Sequence, residues 1–169
     1  MPPADPGTRL DAFNVLSSPE ARDRLLRCLA VPRWAAVVAD GRPYPTFVAL
    51  RERANDAASA LTDEELVLAL SGHPRIGERP SRGHDTAYSR HEQAGVDASD
   101  ADVAARLSAG NHAYEQRFAR VFVIRAAGRS AAEILTELTR RLANDDPAER
   151  LETTSALREI ALLRLESEV

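Results

Sequence analysis

The sequence predicts an all-α protein, a single-domain bundle of about seven or eight helices. Three observations point there. Apolar residues recur at helical spacing through most of the chain. Helix-start signals precede those runs. Only one β-branched run, Val121-Phe122-Val123-Ile124, interrupts them. It is too short and too isolated to found a sheet, so it reads as a buried extended segment near 121–124. The length of 169 residues suits one domain with a sizeable core. The expected organisation is a disordered tail over residues 1–8, then one domain over 9–169.

In chain order, the first eight residues are rich in proline and small polar side chains, which favours disorder. Asp11 to Leu16 is a short apolar segment of about one helical turn. Ser18-Pro19-Glu20 offers an N-cap, a proline at the first helical position and an acid in the first turn, opening a helix through Leu25, Leu26 and Leu29. Val31-Pro32 opens the next, with Trp34, Val37 and Val38, and Gly41 ends it before a turn. A longer helix covers about Thr46 to Ala60, with Phe47, Leu50, Ala54, Ala57 and Ala58 near helical spacing. Thr62 and Glu65 form a capping box for the helix of Leu66, Leu68 and Leu70.

The loop over 74–84 leads to a short helix capped by Asp85, carrying Ser89, Glu92 and Gln93, and stopped at Gly95. Ser99-Asp100 opens a long helix to about Phe118, with Val103, Leu107 and Tyr114 inward. Beyond the extended run, Gly128 breaks the chain. Ser130 and Glu133 then cap a helix through Ile134, Leu135, Leu138 and Leu142. Asn144 to Pro147 caps the last helix, Ala148 to about Glu166, with Leu151, Leu157, Ile160, Ala161 and Leu165 along its apolar stripe.

Composition excludes several function classes. A net charge of −4 argues against broad attraction to nucleic acid or an anionic membrane surface. No apolar run approaches the roughly 20 residues of a membrane span, and the first residues carry no signal-peptide core, so a cytoplasmic location is expected. One cysteine, Cys28, permits no internal disulfide and reads as a core thiol. All 22 basic residues are arginine, which removes Schiff-base lysine chemistry and the phosphate-loop lysine. The four histidines stand 11, 7 and 21 residues apart and match no zinc pattern; His91-Glu92 starts an HExxH motif, but Gly95 stands where its second histidine belongs. There is no GxSxG and no GxGxxG. No metal and no organic cofactor are expected.

The stretch from Gly72 to Gly95 carries the chemistry that remains. His73 follows a plausible helix stop at Gly72 and precedes Pro74, which biases it toward extended backbone. Ser89, Glu92 and Gln93 stand at i, i+3 and i+4, on one helix face. An imidazole on a stiff loop, with a carboxylate, a hydroxyl and an amide, suits acid–base work on a small polar substrate. A polar loop followed by a solvated helix face is the plainer reading of the same residues. Arg164 stands at i+7 from Leu157 and i+3 from Ala161, at or near a buried stripe. There it needs an anionic partner, either a neighbouring carboxylate or a group on a ligand.

His73-Pro74-Arg75-Ile76-Gly77, Ser89 to Gly95, Gly128-Arg129-Ser130, Arg141 to Asn144 and Leu163-Arg164-Leu165 resemble the OHCU decarboxylase family, from about residue 10 onward. OHCU is 2-oxo-4-hydroxy-4-carboxy-5-ureidoimidazoline, whose decarboxylation to (S)-allantoin is the last step of urate conversion to that product. The resemblance implies an all-helical, cofactor-free enzyme with His73 and Glu92 catalytic. It implies substrate contacts from Pro74, Ser89, Gln93 and Arg164, and from the backbone of Phe122, Val123 and Ile124 to the ureido end. The partner implied is the small-molecule substrate, not nucleic acid or membrane, and the oligomeric state is left open, a homodimer included. Two positions depart from the family pattern. Before the extended run the family often has Phe-Gly where this chain has Phe118-Ala119-Arg120-Val121, and Tyr88 stands where tryptophan is common in bacterial members; both bear on the pocket wall. The alternatives are an inactive helical ligand-binding relative and a hydrolase of another cyclic ureide.

Overall fold

Trp34 and the helix under it show how one half of this chain is tied together. In the computed structural model, which describes residues 6–77 and 101–169, the buried Trp34 indole donates from Nε1 to the Ala54 carbonyl at 2.9 Å. The described residues form eight α-helices and no strands. They are α1 Pro6–Asn14, α2 Ser18–Cys28, α3 Pro32–Asp40, α4 Phe47–Ala58, α5 Asp63–Ser71, α6 Ala101–Phe118, α7 Ala131–Arg141 and α8 Asp146–Glu168. Two compact units result. One holds the residues up to Leu68 with Arg158–Val169; the other runs from Ala69 to Leu157. The helix expected around Ser89, Glu92 and Gln93, and the cap expected at Ser99-Asp100, lie outside the described residues.

In the first unit α2 packs on α3, α3 on α4, and α1 on α4. Phe13, Leu25, Leu29, Val38 and Leu50 are fully buried there. Helix ends are secured by arginine and asparagine. Arg42 donates to the Phe13 and Leu16 carbonyls at 2.9 and 2.8 Å, and to Ala39 O at 2.9 Å. These carbonyls belong to the last turns of α1 and α3 or lie just beyond, where no helical partner remains. Asn14 bonds both the N–H and the C=O of Tyr44 at 2.9 Å. At the start of α5 the Thr62–Glu65 box is formed. Arg33 adds a two-pronged contact to Glu65 at 2.6 and 2.9 Å, holding that carboxyl below its usual range.

Several sequence expectations need correction. The tail does not remain irregular through residue 8, because α1 begins at Pro6; proline's fixed φ suits a first helical turn. The cap of α2 is Ser17, not Ser18: its hydroxyl accepts from Glu20 N–H while the Glu20 carboxylate accepts from Ser17 N–H. Pro19 is tolerated one position further in. Leu68 and Leu151, assigned to apolar stripes, are 47% and 68% exposed. Each lies beside its stripe, and hydrophobicity alone does not distinguish the two positions. The last helix starts at Asp146, with the Asp145 carboxylate accepting from Ala148 N–H at 2.9 Å.

In the second unit α6 and α7 form a close pair around one core. It contains Ile76, Leu107, Tyr114, Phe118, Phe122, Ile124, Ile134 and Leu138. Gly110 permits the approach, since a Cβ there would stand 2.6 Å from Leu138 Cδ2. The Ser130–Glu133 capping box forms as expected. Between these helices the chain turns at Ala119, whose φ of 52° is left-handed and whose N–H closes on Glu115 O at 2.9 Å. Glycine takes that conformation without strain. Here alanine holds it, at one of the two positions that depart from the family pattern.

Candidate active site

His73 leaves the end of α5 with its backbone N–H on the Leu70 carbonyl at 3.0 Å. Its ring Nδ1 lies 2.8 Å from Ala69 O. A carbonyl only accepts, so Nδ1 carries a proton, and in the neutral ring the lone pair is on Nε2. The terminal carbonyls of a helix are acceptors without helical donors, so the local fold selects the tautomer. The half-buried His73 therefore has a defined tautomer.

The segment after it is anchored at consecutive residues. Arg75 makes a two-pronged pair with Glu115 of α6 at 2.5 and 2.7 Å. That guanidinium holds the Glu115 carboxyl below its ordinary range. The Ile76 side chain is core, and its carbonyl accepts from Asn111 Nδ2 at 2.9 Å. Gly77 then takes a φ of 84°. Pro74 is half-buried beside His73. The His-Pro-Arg-Ile-Gly run is thus fixed to α6 by an ion pair, an amide and an apolar anchor.

The run over 121–126 is neither helix nor strand. Phe122, Ile124 and Ala126 belong to the core cluster, whereas Val123 and Arg125 do not. This two-residue alternation is that of extended backbone. The sequence expectation of a buried extended segment is met, with Phe122, Val123 and Ile124 at 1%, 3% and 6% exposure. Both this run and the His73 loop insert into the same core, through Phe122 and Ile124 and through Ile76.

A polar cluster that the sequence reading left without a role lies next to it. Arg141 is 2% exposed and Glu149 0%. Arg141 Nε donates to Glu149 Oε1 at 2.8 Å, and its Nη2 also contacts that oxygen. Nη2 reaches Thr153 Oγ1 at 3.2 Å, while Nη1 reaches the Val123 carbonyl at 2.7 Å. The Tyr114 hydroxyl donates to Glu149. Burial, then that hydrogen bond, pushes its phenol up to about 12. Asn144 Nδ2 donates to Glu149 Oε2 at 2.9 Å. The signal was present: Ile134, Leu138 and Arg141 stand at i, i+4 and i+7, the spacing that drew attention to Arg164.

Of the sequence-derived site residues, His73, Pro74, Phe122, Val123 and Ile124 fall in one unit. Arg164 is 2% exposed in the other, so its place on the buried stripe is as expected. Glu92, Ser89 and Gln93 lie outside the described residues. Among the described residues, no three His, Cys, Asp or Glu side chains are grouped to hold a metal ion, and no helix is long and apolar enough to cross a membrane.

Comparison with known proteins places this fold. The OHCU decarboxylase family model matches residues 14–166. The 2-oxo-4-hydroxy-4-carboxy-5-ureidoimidazoline decarboxylase of Amia calva is 35% identical over 138 residues, 80% of this chain and 79% of that protein. A crystal structure of OHCU decarboxylase in the presence of (S)-allantoin matches with a TM-score of 0.74 at 26% identity, covering 86% of this chain and 96% of the other. An (S)-allantoin synthase structure shares the fold at a TM-score of 0.71 and 17% identity, over 95% of this chain and 54% of that one. This chain belongs to the OHCU decarboxylase family, and the all-α class expected from its sequence is the class it has.

Proposed function

We propose that the protein decarboxylates 2-oxo-4-hydroxy-4-carboxy-5-ureidoimidazoline to (S)-allantoin in urate degradation, without metal or organic cofactor, in the cytoplasm. Within a chain of this family, the observation that carries the reading is His73. Its Nδ1 is occupied by a helix-end carbonyl, and its loop is immobilised on α6.

The substrate supplies its own electron sink. The carbon that loses carbon dioxide also bears a hydroxyl and neighbours a C=N. When the C–C bond to the carboxylate breaks, its electron pair forms a C=C bond. The former C=N pair then moves to nitrogen, which takes a proton. The resulting enol loses its hydroxyl proton to become a carbonyl, and the neighbouring ureido-bearing carbon gains one proton. The net change is loss of carbon dioxide and uptake of one proton. An enzyme here must hold the carboxylate in a dry site, manage the hydroxyl proton and present one face of the carbon to a proton donor.

In this reading His73 Nε2 performs the acid–base step on the hydroxyl and carboxylate side, and Glu92 orients the ring or the substrate hydroxyl. Pro74, Ser89, Gln93 and Arg164 contact substrate, with Arg164 giving charge-assisted bonds to an anionic or polar group. The backbone of Phe122 to Ile124 takes the ureido end. The test is to mix purified protein with freshly generated OHCU and follow carbon dioxide release and the circular dichroism of allantoin. Accelerated release with one enantiomer in excess is expected. Ammonia release or ring opening without carbon dioxide would replace this reading with a ureide hydrolase. No acceleration of any reaction would leave an inactive relative.

A further inference from the structure

The backbone of the extended segment is buried, yet the described structure gives Phe122, Val123 and Ile124 one backbone hydrogen bond between them: Arg141 Nη1 to Val123 O, 2.7 Å. Among the described residues, the Phe122 and Ile124 N–H and C=O groups have no hydrogen-bond partner. Buried backbone groups are nearly always paired with protein, water or ligand, so an unpaired edge inside a protein marks a place for a polar ligand. In extended backbone, the N–H and C=O of one residue share an edge and alternate with those of the next. With the Val123 carbonyl turned to Arg141, the Phe122 and Ile124 groups face the opposite edge.

Arg141 grips this segment twice. Its guanidinium also sits over the Phe122 ring, 4.8 Å from the centroid. The arginine is itself fixed on its other side by Glu149 and Thr153, and over the Tyr114 ring. We infer that Arg141, locked by Glu149, is a positioning residue that holds the segment by the Val123 carbonyl, so that Phe122 and Ile124 present the donors and acceptors that take the ureido group. Val123, on this account, contributes its backbone to the clamp and not to the substrate. The inference rests on the proposed activity. It narrows which backbone groups recognise the ureide, a group whose alternating N–H and C=O match such an edge.

The clamp is separable from general stability because a buried ion pair can often be exchanged for apolar residues of similar volume without loss of stability. The test therefore replaces the cluster together, Arg141→Met, Glu149→Leu and Tyr114→Phe, so that no charge or hydroxyl is orphaned. KM, kcat and the urea midpoint are measured beside wild type. The expected result is a midpoint near wild type with KM raised about tenfold or more and kcat within a few-fold, because uniform substrate binding has been lost. A stable triple variant with wild-type KM and kcat overturns the inference. If the triple variant does not fold, Arg141→Lys decides. It keeps a cation facing Glu149 but cannot span Val123, Glu149 and Thr153 with one planar fork. Folded with raised KM, it supports the clamp; folded with wild-type KM, it overturns it. Wild-type protein inactive on OHCU removes the underlying activity, and the clamp's purpose with it. Active wild type with unaltered variants removes the clamp alone.

Discussion

Replacing His73 by asparagine separates the two nitrogens of the ring. The asparagine amide nitrogen lies as many bonds from Cα as Nδ1 does, so it can still donate to Ala69 O, 2.8 Å from Nδ1 in the native chain. Nε2 has no counterpart in asparagine. The stability change follows from what is kept. Deleting the ring bond outright, as in His73→Ala, costs about 0.5–1.5 kcal/mol, and His73→Asn should cost less. A domain of this size has roughly 5–15 kcal/mol in hand, so both variants stay folded. Loss of a general acid–base group removes about 10²–10⁴ in rate, or roughly 3–5 kcal/mol of barrier. We therefore expect His73→Asn to melt within a few degrees of wild type, to keep KM within a few-fold and to lose at least a hundredfold in kcat. The assay is stopped-flow carbon dioxide release from freshly generated substrate, with allantoin circular dichroism as a second readout. A folded His73→Asn variant retaining more than about a tenth of wild-type kcat would refute the assignment of chemistry to Nε2.

Activity is expected to survive dialysis against EDTA unchanged; a loss restored by a divalent cation would end the cofactor-free reading. Ala119→Gly relieves a left-handed alanine at φ 52° and is expected to raise stability by about 0.5–1 kcal/mol by urea denaturation, whereas a lower midpoint would mean the alanine methyl contributes packing of its own. Tyr114 gives a pH dependence of defined sign. Its folded pKa of about 12 lies above the usual 10, so the unfolded chain loses the phenol proton first. Its contribution is whole below pH 10 and is lost as pH rises toward 12, about 2–3 kcal/mol at most. Tyr114→Phe should flatten that part of the stability profile, and an unchanged alkaline limb would place the titration elsewhere.

What the sequence could disclose followed from whether the physics was local. Capping boxes at Thr62 and Ser130 and the stop before Gly72 are decided within a few residues, and the structure has them. At Ser17 and Ser18, two adjacent serines offer the same oxygen; only the position of Glu20 relative to each selects Ser17. The buried extended segment was legible because its β-branched run contradicts its helical surroundings. Its backbone partner was not. Arg141 and Val123 are 18 residues apart, and nothing in either neighbourhood encodes a pairing that depends on how α7 and the segment pack. The tautomer of His73 was likewise hidden, since it depends on which helix-end carbonyl the ring folds back upon. Arg141 stood on an apolar stripe with Ile134 and Leu138, and a charge on such a stripe is the sign of a buried partner.

Trp34 is the chain's one tryptophan, fully buried and hydrogen-bonded to α4. That makes the protein's intrinsic fluorescence a local instrument. Its emission belongs to the unit that holds the residues up to Leu68 with Arg158–Val169, while His73, Arg141 and the extended segment belong to the other. An emission change in urea reports the melting of the tryptophan's own surroundings. A variant in the unit that holds His73 can lose function with its native emission spectrum intact. The near-ultraviolet signal that Tyr114→Phe removes comes from a ring packed against Phe118 and Phe122 at centroid distances of 4.8 and 5.2 Å and supplies the complementary view, Tyr44 lying in the same unit as Trp34.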